Sequence, residues 1–353
     1  MRATVKDVAA LAGVSPKTVS NVINGVVFVR PDTRTRVESA LAELDYVPNL
    51  SARGLRTGRT GSIALAFPDL STPYSAEMTH WFVEQAHERG WSIQLEQTGS
   101  RPEREGELLS RGKEHLVDGL VLNPITLDAS ALSSAGSGSG TGSGSGSGSG
   151  ATDSLPPVVV IGEVEQTLVD QVRVDSVAAA RDMTAHLIAA GHRRIATLGD
   201  SAGEFDTATA RARTRGFEQA MAEAGLPLDH ALQYSCPEWT SADAFSVVRA
   251  AVERGDRPDA IFCFTDSLAI GAVSALTSAG LRVPDDVAVA GFDDIVDGRF
   301  SVPPLTTVTF DKRLFVDRTL ELLAARIADR QGAAELVIVP HEIVVRASTR
   351  GRA

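Results

Sequence analysis

Residues 4–24 read TVKDVAALAGVSPKTVSNVIN, two short amphipathic segments separated by a glycine. Thr4 and Asp7 have the spacing of a capping box, a hydroxyl cap answered three residues on by a carboxylate. Val5, Val8, Leu11 and Ala12 recur at helical spacing, and Gly13 supplies the residue able to take positive φ beyond the helix end. Ser15 then caps a second helix. Pro16 stands at its first position, where a missing N–H costs nothing. Val19, Val22 and Ile23 form the inward stripe of that helix, and Asn24-Gly25 ends it. Two helices joined by a short turn containing glycine carry the helix-turn-helix signature. A third helix is expected from about Pro31 to Leu44, with Val37, Ala40, Leu41 and Leu44 on one face. Arg30 at its cap position is a poor capping residue, so the first turn is expected to be less well fixed.

Charge separates this head from the rest. Residues 1–60 carry nine Lys/Arg against five Asp/Glu, a net of +4, in a chain of 353 residues whose total is −11. Everything from Gly61 on therefore carries −15. A small basic head on a large acidic body is the pattern of a nucleic-acid-binding module joined to something else. Composition is that of an ordinary globular protein, 43% hydrophobic and 22% charged. No apolar run approaches ~18–20 residues, so no membrane-spanning helix is expected. The N-terminus lacks the apolar core of a secretion signal, which points to the cytoplasm. Cys236 and Cys263 show no metal-binding or disulfide-scaffold spacing, so neither metal nor cofactor is expected.

Beyond Pro48, residues 49–60 are basic, short and interrupted by Gly54, so this linker is expected to order only on a partner. From Gly61 strands alternate with helices. Ser62–Phe67, Ser92–Glu96, Gly119–Leu122, Val158–Ile161, Ile195–Leu198, Ala260–Phe264 and Val287–Ala290 suit buried parallel strands. Helical stretches lie at Ser75–Arg89, Ser176–Ala190, Ala210–Ala224, Ser241–Arg254 and Asp266–Ala279, each followed by a glycine stop. Such repetition predicts an α/β core of doubly wound parallel sheets, and a stretch this long accommodates two lobes. Residues 136–150, GSGSGTGSGSGSGSG, match neither a dinucleotide-binding nor a phosphate-binding glycine pattern and read as a disordered surface loop.

In order and spacing, these residues resemble the lactose-repressor/galactose-repressor family of bacterial transcription regulators. Thr4–Ala9, Ala12–Ser15, Thr18–Ser20, Val22–Asn24 and Tyr46–Asn49 carry the resemblance in the head. Ile63–Asp69, Gly191–Ile195, Arg282–Val287, Gly291–Asp294, Pro303–Thr307 and Val345–Thr349 extend it through the core. It implies a helix-turn-helix domain at 1–48, a hinge at 49–60 and a two-lobed, periplasmic-binding-protein-like effector and dimerisation core at 61–353. It implies a homodimer on a pseudo-palindromic operator in double-stranded DNA. Pro16, Lys17 and Asn21 match base-reading positions. Lys17 can donate to guanine O6 and N7, while Asn21 can pair with an adenine edge or a phosphate. Thr4, Ser15, Ser20, Asn24 and Thr33 match phosphate-contacting positions. Paired hinge helices running from Asn49 lever Leu55 into the minor groove as an apolar wedge.

A ligand in a two-lobed α/β core sits beyond the carboxyl ends of the strands. Tyr74, Ser75, Arg211, Trp239, Thr265, Asp266 and Asp293 follow strands or open helices there, and each matches an effector-contacting position of the family. Aromatic faces, carboxylates and a guanidinium suit a polyhydroxylated ring, so the expected effector is a sugar or sugar derivative; a purine uses similar groups. Two departures argue against assuming the namesake's effector. Thr265 stands where many sugar-responsive members have Asn, and Gly162 where the lactose repressor has Asp. An enzyme on this fold is the rival reading, but no nucleophile elbow, metal cluster or phosphate loop is present. A transport-type solute-binding protein is another, opposed by the head. Leu55→Ala is expected to weaken operator binding about tenfold or more, since an unstacking wedge is lost, while thermal unfolding of the core stays unchanged. Fluorescence anisotropy with and without the substitution checks this, and equal affinities remove the wedge.

Overall fold

Two compact units divide the chain at Met1–Thr60 and Gly61–Ala353. The computed structural model describes residues 3–25, 28–46, 59–111, 117–125, 155–200 and 207–349. Asn49, Leu55 and the 136–150 tract lie outside the described residues.

The first unit contains α1 (Val5–Ala12), α2 (Pro16–Asn24) and α3 (Pro31–Glu43). Both halves of the expected capping box are present: Asp7 Oδ2 accepts from the Thr4 N–H at 2.8 Å, and Thr4 Oγ1 accepts from the Asp7 N–H at 3.4 Å. Ser15 caps α2 by accepting from the Thr18 N–H at 3.1 Å. Between the helices Gly13 takes φ 65°, the left-handed value that lets the chain turn without a Cβ penalty. Arg30 makes no side-chain cap to α3. Val8, Ala9, Ala12, Val19, Val22, Val37 and Ala40 form the small core that fixes the three axes.

The second unit is built on two six-stranded sheets. The first lobe contains β1 (Ser62–Phe67), α4 (Pro73–Glu88), β2 (Ser92–Gln97), α5 (Pro102–Arg111), β3 (Gly119–Leu122), β4 (Val158–Ile161) and β5 (Asp170–Val174). The second contains α6 (Ser176–Ala189), β6 (Ile195–Asp200), α7 (Ala208–Glu223), β7 (Gln233–Ser235), α8 (Ser241–Arg254), β8 (Ala260–Cys263), α9 (Asp266–Ser278), β9 (Ala288–Phe292), α10 (Val296–Phe300) and β10 (Thr306–Phe310). The chain then returns through α11 (Lys312–Ala328) and β11 (Leu336–Val339) to the first lobe, and ends in β12 (His341–Val344) of the second. Strand order is β11-β5-β4-β3-β1-β2 in the first sheet, parallel throughout. In the second it is β12-β10-β9-β8-β6-β7, antiparallel only where β12 meets β10.

Central strands are buried on both faces, which is why β1, β3, β4 and β8 read as continuous apolar runs. Edge strand β2 is mostly exposed and carries Gln94 and Glu96, polar groups that discourage edge pairing. Three passages join the lobes: into α6 behind the cap Asp175, into α11 behind the cap Asp311, and through Pro340. The second passage is tied to the first lobe by Gln85 Nε2, which donates to the Arg313 carbonyl at 3.0 Å, and by the 2.9 Å Arg89–Asp317 ion pair. Arg326 closes on buried Asp170 at 2.7 Å.

Helices α6 and α7 pack closely because Gly216 lets one backbone reach the other. A Cβ there would overlap the Val177 carbonyl oxygen and stand 2.8 Å from both Ala180 Cβ and Arg181 N. Helix propensity alone favours Ala over Gly by about 1 kcal/mol. Overpacking against backbone typically costs ~1–3 kcal/mol or more and outweighs it here. Gly216→Ala is therefore expected to lower the midpoint of thermal unfolding; an increase would show that the helices can separate freely.

Candidate functional site: an exposed helix face and a charged cluster between two lobes

On the head, α2 turns Val19 and Val22 inward and leaves Pro16 and Lys17 exposed, with Asn21 partly so. Asn24 is the last residue of α2, ahead of Gly25 at φ 64°. Ser20 and Thr33 are half-buried. Thr4 and Ser15 are exposed, and both hydroxyls are used in capping: Thr4 Oγ1 also donates to Asp7 Oδ2 at 2.7 Å, and Ser15 Oγ pairs with Thr18 Oγ1 at 2.9 Å.

In the core, the carboxyl ends of the strands bring together groups from both lobes. Tyr74 comes from the first turn of α4, Glu163 from the segment after β4, Arg213 from α7, and Asp293 from the turn after β9. Arg213 is the centre. Its guanidinium carbon lies 3.4 Å from the centroid of the Phe292 ring. One terminal nitrogen donates to the Phe264 carbonyl, and the other lies 3.8 Å from the Asp293 carboxylate. An arginine this deeply buried persists only if paired, and here a carboxylate, a carbonyl and a ring face share it. Its pKa is still drawn down by burial, against the pull of Asp293 and Glu163.

The acids feel the same competition. Burial raises the Asp293 carboxyl to about 6, opposed by Arg213 and then Lys312 and reinforced by Glu77. Burial likewise raises Glu163, which lies 3.6 Å from Arg173, with Arg213 pulling it back. The Tyr74 hydroxyl is pushed well up, by burial first and Asp293 second. Asp293 and Asp294 take φ values of 107° and 46°, and Trp239 takes 49°. Such backbone is uncommon outside glycine and clusters where a side chain must be aimed. Trp239 stands half-buried, tilted against Phe264 with centroids 6.4 Å apart. Ring faces, two proton-hungry carboxylates and a fixed cation can stack on a small ligand and bond its hydroxyls.

Of the residues expected in the cleft, Tyr74 and Asp293 join this cluster, and Trp239 packs on its Phe264 wall. Ser75 is buried behind Tyr74, where its hydroxyl accepts from Thr72 Oγ1 at 2.8 Å. Thr265 caps α9 by accepting from the Leu268 N–H at 3.2 Å. Asp266 needs correction. It is fully buried, with Oδ1 accepting from Thr307 Oγ1 of β10 at 2.6 Å and Oδ2 from the Ile295 N–H at 2.9 Å, so it ties β10 to the loop after β9.

Arg211 also needs correction. It is exposed on the first turn of α7, and the arginine buried beside Asp293 is Arg213. The signal was periodicity. Ala210, Arg213, Phe217, Ala220 and Met221 form the buried stripe of α7, and Arg213 is the one charge on it. Glu163 was also missed, although it follows a strand as the others do. Its neighbour Gly162 takes φ 93°, and a Cβ there would stand 2.9 Å from Asn123 Oδ1. The side chain that the departure at Gly162 removes is thus followed directly by a carboxylate in the cleft.

Known proteins share both parts. Residues 4–49 match the family described as bacterial regulatory proteins, lacI family, and residues 184–349 match a periplasmic binding protein-like domain. The chain is 34% identical over 360 residues to the HTH-type transcriptional repressor PurR of Haemophilus influenzae (strain PittEE), covering 99% of each protein. Among solved structures, the transcriptional regulator CelR in complex with cellobiose is 30% identical, covers 98% of this chain and 100% of that one, and superposes with a TM-score of 0.68. The lac repressor dimer bound to operator and the anti-inducer ONPF is 25% identical, covers 99% of both chains and gives 0.81.

The raised Asp293 pKa has a definite sign. Well below pH 4 the carboxyl is neutral in folded and unfolded chains alike. As pH rises from about 4 to 6 the unfolded chain ionises first, so the group withdraws stability across that window and does not restore it above. Asp293→Asn is therefore expected to gain roughly 2–3 kcal/mol relative to the parent chain between pH 4 and pH 7. Urea unfolding at both pH values checks this; a difference independent of pH contradicts it.

Proposed function

Because the chain belongs to the lacI family of bacterial regulatory proteins, we propose that it is a sequence-specific DNA-binding transcriptional repressor, controlled by a small effector held between the lobes of its core. The observation that carries this reading is the presence in one chain of two elements: a capped helix-turn-helix presenting Pro16, Lys17 and Asn21, and a cleft built around buried Arg213 and Asp293. Lys17 and Asn21 read base edges in the major groove, Pro16 adds apolar contact, and Thr4, Ser15, Ser20, Asn24 and Thr33 position the head on phosphates. Residues 1–48 form the reading domain, 49–60 the hinge with Asn49 and Leu55, and 61–353 the effector core.

The effector is a sugar. Tyr74 and Trp239 offer ring faces to its C–H surface, and Asp293 and Glu163 accept from its hydroxyls. A relative of 30% identity, CelR, is a cellobiose complex. The protein works in the cytoplasm as a homodimer on a pseudo-palindromic operator, as a two-fold reader requires. The exposed apolar residues Phe300 and Val302, 80% and 87% accessible, form part of the surface that the second copy covers. We assign it no catalytic role: its relatives are repressors.

Selection of the full-length chain against random duplexes is expected to enrich a pseudo-palindrome. Titrating that complex with neutral sugars, cellobiose first, is expected to change operator affinity about tenfold or more with one of them. Arg213→Met abolishes the response and Arg211→Ala retains it. Failure to enrich any duplex overturns the reading.

A further inference from the structure

The acid Glu77 and the base Lys312 are absent from the ligand-facing set, yet they meet directly behind it. Glu77 lies on α4 of the first lobe. Its Oε2 pairs with Lys312 Nζ, and its Oε1 accepts from the Val296 N–H at 2.7 Å. Val296 opens α10, which belongs to the second lobe. Lys312 is the first residue of α11, at the passage from β10 back to the first lobe, and is only 9% exposed. Its ammonium also donates to the Asp294 carbonyl at 3.1 Å. Two side chains therefore hold the turn after β9 from the first-lobe side, at a backbone oxygen and a backbone N–H.

The turn they hold is the one that aims Asp293. Both of its residues have positive φ, a conformation that persists only where the surroundings over-determine it. On the second-lobe side the determination comes from Asp294. Its carboxylate accepts from Arg346 at 2.6 Å, Arg299 at 2.9 Å and Thr309 at 3.2 Å. On the first-lobe side Glu77 and Lys312 supply it. Separating the lobes must break the Glu77–Val296 bond, since its two ends are on different lobes, and must move Lys312 relative to Asp294. A ligand that engages Asp293 acts on the same turn from the front.

We propose that Glu77 and Lys312 form a positioning pair, which sets the Asp293 turn for effector binding and transmits its state to the first lobe. The inference rests on the effector-controlled reading above. The first lobe begins at Gly61, directly after the residues assigned to the hinge, so its freedom relative to the second lobe adds to what DNA binding must order. Loosening it lowers the population ready for the operator and weakens binding.

The test uses the full-length chain without added ligand, as parent, Glu77→Ala, Glu77→Gln and Lys312→Met. Amide hydrogen exchange and operator affinity are both read. In Glu77→Ala the Val296 amide is expected to exchange at least about tenfold faster, with β8 protection unchanged. Glu77→Gln keeps an acceptor for that amide and is expected to restore most of its protection. Lys312→Met removes the hold on the Asp294 carbonyl, and both it and Glu77→Ala are expected to weaken operator binding about fivefold or more. Unchanged Val296 protection in Glu77→Ala overturns the pair as a positioning device. Faster exchange with parental operator affinity overturns its role in transmission. A parent chain that binds no operator overturns the functional reading instead, and the exchange arm still decides whether the pair holds the turn.

Discussion

An arginine buried between two lobes has few places to go. Arg213 is drawn into the interior by the apolar stripe of α7, and once there its charge must be answered from nearby. The Phe264 carbonyl, the Phe292 face and the Asp293 carboxylate answer it, and all three are fixed by strands β8 and β9. That requirement sets the Asp293 carboxylate opposite the guanidinium, at 3.8 Å. It also leaves two acids, Asp293 and Glu163, sharing one principal cation. The Arg213 Nε is left buried without a hydrogen-bond partner among the described residues, while Glu163 also has Arg173 at 3.6 Å.

The second constraint is the anchoring of the turn from behind. Asp266 uses one carboxylate oxygen on Thr307 of β10 and the other on the Ile295 N–H of the loop after β9, and it fits because residue 291 is glycine: a Cβ there would overlap Asp266 Oδ1. Asp294 is fastened by two arginines, and its own carboxyl ends below its usual range, since these bonds outweigh the opposing effect of burial. Three consecutive functions are thereby separated among three acids close in space. Asp266 pins the loop, Asp294 anchors the turn, and Asp293 is left to face the cleft.

The head was legible in sequence because its determinants are local. Caps at Thr4 and Ser15, the stop at Gly13 and the stripes of α1 and α2 lie within a few residues of what they control. Strands β1, β3 and β4 were legible for the same reason, as unbroken apolar runs. Strand β5 was not, because Asp170 and Gln171 are polar yet buried. Asp170 is satisfied by Arg326, far along the chain, and Gln171 by the carbonyls of Gly162 and Val164. The part Asp266 plays is not legible locally, since its partners Thr307 and Ile295 become neighbours only when β9 and β10 pair beside α9. Arg211 is the arginine nearer the start of α7, whereas the phase of that helix turns Arg213 inward. A two-residue shift on a helix turns a side chain by roughly 200°, enough to exchange solvent for cleft.

As proposed, effector binding at Asp293 and operator binding by the head share one equilibrium. Linkage makes that directly measurable. With the sugar that shifts operator affinity most, its dissociation constant is determined by calorimetry for the full-length chain alone and saturated with operator duplex. The two constants are expected to differ by the same factor by which the sugar changes operator affinity. Equal constants, with operator present or absent, would contradict it.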